Sequence, residues 1–144
     1  MRSISVIGIF CEDIREEKSG QDTLVGILPD GILIDTIPAS LPKLGLYFRM
    51  HAPPDFDLST PVLLRLIHTD GKVIVESRLE ESFKASMPSE RISNIPYLGL
   101  LQKVVMTSLP VTKEGRIIAE ITIGDRTEIC ASLGIAKVPP RTTS

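Results

Sequence analysis

The sequence predicts an all-β protein: an antiparallel β-sandwich of immunoglobulin-like or jelly-roll-like type, with about eight short strands and little helix. Three observations carry this. Apolar and polar residues alternate with a period of two in several segments. Glycine-containing turn dipeptides separate those segments. No stretch sustains a helical period.

The elements follow in chain order. Ile4 to Cys11 reads as a first strand, and the polar stretch Glu12 to Gln21 as a loop or short turn that Gly20 ends. Gln21 to Leu28 reads as a second strand, Pro29-Asp30-Gly31 as a turn, and Ile32 to Ile37 as a short third strand. Lys43 to His51 is the clearest strand. Leu44, Leu46, Phe48 and Met50 share one face, and Lys43, Gly45, Tyr47, Arg49 and His51 share the other. Pro53 to Pro61 is a loop by composition.

Val62, Leu64 and Leu66 then align, with Arg65 opposite. Asp70-Gly71 turns the chain into a hairpin whose second strand places Val73, Val75 and Leu79 together, away from Glu76 and Arg78. Ser82 to Tyr97 holds Pro88 and Pro96 and reads as a long connection with at most one helical turn. Leu98 to Leu109 is apolar on both sides; its Val and Thr content favours strand over short helix. A last hairpin turns at Gly124-Asp125. Ile117, Ala119, Ile121 and Ile123 face inward on one arm, and Thr127, Ile129, Ala131, Leu133 and Ile135 on the other. Cys130 falls on the opposite face, beside Glu128 and Ser132. Residues 1–137 form one domain in this reading, and 138–144 a frayed tail.

Composition sets limits on function. The 144 residues suffice for one core without disulfides or metals. A net charge of -2 supplies no attraction to nucleic acid or acidic membranes, so neither is expected as a partner. Aromatic residues are 4% with no Trp, which leaves little stacking surface for bases or sugars. The apolar run Ser3 to Cys11 is too short for a span and poor as an export signal. The expected location is therefore the cytoplasm, with Cys11 and Cys130 as thiols. A Cys11–Cys130 disulfide is the lesser alternative, and it requires the first and last strands to be neighbours.

No catalytic, cofactor or metal site is expected. Glu12, Asp13, Glu16 and Glu17 lack the alternating spacing of a calcium loop and read as a solvated loop. Asp55 and Asp57 are too few ligands for calcium and read as an Asp-rich turn. His51 and His68 both end strands, but no further ligand has zinc-site spacing. Cys11 lies among Ile9, Phe10, Glu12 and Asp13; burial and acidic neighbours raise a thiol's pKa, the wrong direction for a nucleophile. One feature points to binding: Tyr47, Arg49 and His51 form a row on one face of one strand, and Tyr and Arg are enriched at interface centres. The expected activity is a non-enzymatic interaction or structural module with a protein partner or as a homo-oligomer. A small-ligand-binding sandwich with this row lining a pocket is the alternative, and an enzyme a distant third.

The run Phe10-Cys11-Glu12-Asp13-Ile14-Arg15-Glu16-Glu17, then Gly20, Leu24-Val25-Gly26-Ile27, Pro29-Asp30, Pro38 and Leu41-Pro42-Lys43-Leu44, resembles a family of bacterial and phage-borne proteins of unknown function. Members share a C-[ED]-D-x-R-x-E opening and a later LP-x-L segment. The resemblance covers residues 4 to 50; Leu28 departs from it, standing where members often have Tyr. It implies a β-sandwich and a phage or prophage context, including incorporation into a phage particle. It assigns no catalytic residue. Asp13 and Arg15 are expected to pair with each other or with nearby backbone and so fix the following loop.

Overall fold

A computed structural model describes residues 4–53, 55–81 and 98–140, without the side chains of Leu98 and Leu100. Its nine strands are β1 (Ser5–Glu16), β2 (Asp22–Ile27), β3 (Gly31–Ile34), β4 (Ala39–Ala52), β5 (Val62–His68), β6 (Val73–Arg78), β7 (Leu98–Val111), β8 (Gly115–Ile123) and β9 (Arg126–Lys137). They form two sheets, ordered β2-β1-β4-β7 and β3-β9-β8-β5-β6. The expected connection over Ser82 to Tyr97 lies outside the described residues.

Alternation in β4 builds the core. Leu44, Leu46, Phe48, Met50 and Ala52 are buried on its inner face. They meet Val62, Leu64 and Leu66 of β5, Ile117, Ala119 and Ile121 of β8, and Leu133 and Ile135 of β9 in one cluster. Alternating apolar positions from two sheets thus close on each other, as a sandwich requires. β1 lies against β9 across the layer at Gly8, where an added Cβ would stand 3.1 Å from Ala131 Cβ and 3.1 Å from the Cys130 carbonyl oxygen. Only a residue without a side chain fits that approach comfortably.

The segment 98–111 is strand throughout, paired antiparallel with β4. Pro42 stands opposite Ser108 in this register and has no N–H to give. Ser108 leaves the ladder with φ 54, between the Lys43↔Thr107 and Leu41↔Leu109 pairs. The Gly124-Asp125 turn forms between paired Ile123 and Arg126, with Gly124 at φ 63. The β5–β6 hairpin turns tightly at Asp70-Gly71. His68 N–H donates to the Lys72 carbonyl, Gly71 N–H donates to the His68 carbonyl, and Gly71 takes φ 95.

Several expectations are corrected. Not every pairing is antiparallel: β3 joins β9 in parallel, Gly31 opposite Gly134. β1 does not stop at Cys11 but runs to Glu16, and the loop shrinks to a turn in which Gly20 N–H bonds the Glu17 carbonyl. A register shift between Leu66 and Ile67 places Val73 opposite Ile67 rather than with Val75, so Val73 is 40% exposed. A second shift, between Ala119 and Glu120, makes Cys130 the extra residue. Cys130 therefore packs against the core and its Sγ–H donates to the Ala119 carbonyl, while Ile129 turns outward at 64% exposure. A bulge reverses the facing of everything beyond it, which period-two reading does not anticipate.

Candidate functional site

The outer face of the four-stranded sheet carries the row Tyr47, Arg49 and His51. Their neighbours follow from register. Tyr47 lies between Ile9 of β1 and Lys103 of β7, Arg49 between Ile7 and Leu101, and His51 between Ser5 and Gly99. Directly paired residues share a face, so Arg49 sits between two apolar side chains, Ile7 at 53% exposure and Leu101 at 36%. Among the described residues, Arg49 has no ion pair, and the side chains of Tyr47 and His51 make no hydrogen bond. The row was legible from one strand; Ile7 and Leu101 were not, because they belong to strands whose pairing the sequence does not show.

The upper half of the same face is covered. Beyond Cys11, β1 leaves β4 and continues with β2 as a hairpin. Gly26, opposite Glu12, takes φ 64 there, and a Cβ on it would collide with the Glu12 side chain. The hairpin settles over Gly45, where an added Cβ would stand 3.0 Å from Cys11 Sγ and 3.2 Å from Ile14 Cγ1. Lys103 Nζ holds its tip, donating to Glu16 Oε1 and Asp22 Oδ1 at 2.8 Å each. These two carboxylates raise the lysine's pKa, Asp22 contributing first. Asp13 does not pair with Arg15. Its Oδ1 accepts from Lys43 Nζ at 3.1 Å and from Ile14 N–H, which lowers its pKa. The acidic cluster is thus a set of hairpin fastenings rather than a loop.

The other candidates have structural roles. Asp57 Oδ1 accepts from Ser59 N–H and Oγ–H and closes a turn. His51 and His68 lie in different sheets. His68 Nδ1 lies 3.0 Å from Asp70 N and 3.1 Å from Asp70 Oδ1, and Nε2 lies 3.2 Å from the Lys113 carbonyl oxygen. Both nitrogens are engaged with backbone. No group of three or more metal-ligating side chains occurs among the described residues. The cysteines are free: Cys11 is fully buried, and burial pushes the Cys130 thiol up to about 11. Burial also raises Cys11, with the Asp13 carboxylate adding to it and the Asp13 backbone working against it.

One cleft lies where the edge strands β6 and β7 face each other, with a volume of about 340 Å³. His68, Asp70 and Ser108 line it with Val75, Met106 and Leu109, but none of Tyr47, Arg49 or His51 does. No hydrogen bond joins Ser108 to His68 among the described residues.

The fold and faces define a sandwich of nine described strands whose four-stranded sheet has a part-apolar outer face. The chain belongs to DUF6941, a family of unknown function, whose model matches residues 6–136. No curated protein and no solved structure matches it. Among the described residues, no helix is long and apolar enough to cross a membrane.

Proposed function

We propose that the protein is a non-enzymatic interaction module that binds a protein partner through the outer face of the four-stranded sheet. One observation carries the reading: Arg49, beside Tyr47, stands between exposed Ile7 and Leu101 with no charged partner among the described residues. Tyr and Arg framed by apolar side chains are what interface centres use. The resemblance of residues 4 to 50 to bacterial and phage-borne proteins favours a phage or prophage setting, such as an accessory component of a particle. Synthesis in the cytoplasm fits that setting.

The test is a pull-down from the native host with wild type, Tyr47→Ala and Arg49→Ala. A specific partner retained by wild type and lost with both variants supports the proposal. Equal retention by all three, or capture of nothing, removes it. The cleft between β6 and β7 favours a second reading, a small-ligand site lined by His68, Met106 and Leu109 rather than by the Tyr47 row. A ligand there would raise the melting temperature of wild type but not of Met106→Trp.

A further inference from the structure

Four strands end the two sheets, and three are protected in ordinary ways. β3 has 4 residues, β2 has 6 with a left-handed Gly26, and β6 has 6 with a register shift against β5. β7 differs. It has 14 residues, its ladder to β4 is unbroken from Leu98 to Thr107, and Lys103 is its sole charged residue. That charge does not guard the edge, because its amine is turned onto Glu16 and Asp22 of its own chain.

The direction of the open groups follows from the ladders. The Phe10 carbonyl accepts from Leu28 N–H on the β2 side, so Cys11 and Gly45 point their backbone groups at each other. Leu44 and Leu46 then point at Met106 and Val104, which leaves the N–H and C=O of Leu101, Lys103 and Val105 facing outward from the edge, with no partner strand among the described residues.

We infer that β7 pairs with β7 of a second copy of this chain, antiparallel about a two-fold axis at Lys103. The pattern is symmetric about that residue: the axis sets Leu101 of one copy against Val105 of the other, apolar against apolar, on both sides. The two lysines meet at the centre with their charges already matched within each copy. A self-complementary patch of this kind is what an isologous dimer needs. The two four-stranded sheets become one continuous sheet, and each copy keeps its own Tyr47 row.

Light scattering at micromolar concentrations tests this. Wild type is expected at twice its 15.8 kDa chain mass. Val105→Pro removes an N–H that the β4 ladder does not use, so a folded monomer by circular dichroism is expected, whereas Val105→Thr stays dimeric. Arg49→Glu also stays dimeric, which separates this inference from the role of the outer face. A monomeric wild type, or a Val105→Pro dimer, overturns it. Amide exchange is a second readout: Leu101, Lys103 and Val105 should be protected at high concentration and exchange at least ~10-fold faster when diluted. Fast exchange at both concentrations also overturns it.

Discussion

Two arginines occupy matching places in the two sheets. Arg65 lies on the outer face of β5, flanked by Glu76 of β6 and Glu120 of β8. Arg49 lies on the outer face of β4, flanked by Ile7 and Leu101. Arg65 reaches both carboxylates, Nε to Glu76 at 3.7 Å and Nη1 to Glu120 at 3.5 Å, while its buried Nε makes no hydrogen bond. Arg49 reaches no charge among the described residues. The charge of Arg65 is matched within the chain. Arg49, in its apolar frame, has no charged partner among the described residues, and that difference is the physical ground for proposing the four-stranded sheet as the interaction surface.

The comparison concerns outer faces only, and the largest effect shows this. Phe48, next to Arg49, and Leu66, next to Arg65, are both fully buried in the same core. Phe48→Ala should cost about 3–5 kcal/mol and Leu66→Ala about 2–5 kcal/mol in urea melts. A loss below 1 kcal/mol at either site would mean that the two sheets do not share a core as described. Arg65→Ala comes next. It strands part-buried Glu120, and the expected loss is about 1 kcal/mol, shrinking as salt is added. Arg49→Ala should change stability by less than about 0.5 kcal/mol while abolishing partner capture. A destabilisation equal to that of Arg65→Ala would erase the contrast between the faces.

The smallest effect concerns acid. Asp13 has its carboxyl held below the ordinary 3.8, first by the Lys43 hydrogen bond and then by Ile14 N–H. A carboxyl lowered in the folded state stabilises above its unfolded pKa, and the contribution disappears as pH falls through the folded value. Lys43→Ala should therefore shift the acid-unfolding midpoint slightly upward and raise the Asp13 carboxyl titration seen by NMR. An unchanged Asp13 titration would mean that the hairpin is not fastened there.

Much of this was legible in the sequence. The β4 alternation placed Phe48 inside and Arg49 outside, and Gly124 marked a hairpin. What escaped has common causes. The bulges at Ile67 and Cys130 reverse facing without changing composition, so Val73 and Ile129 were placed inward. Glu12 to Glu16 looked like loop because its covered surface is the bare backbone of Gly45, and its charges serve Lys43 and Lys103, distant in sequence. The Tyr47 row was visible, but its apolar frame depended on ladders that one strand cannot reveal.

Gly8 against Ala131 and Gly31 beside Gly134 join the opening strands of the sandwich to its last one. Folding therefore cannot finish while the chain is emerging from the ribosome until Leu133 and Ile135 are clear of the exit tunnel. Until then Phe48, Leu64 and Ile117 have no complete core, and β7 waits beside them with an open edge. With so many contacts between distant residues, closure belongs to the slow end of the single-domain range, milliseconds to seconds.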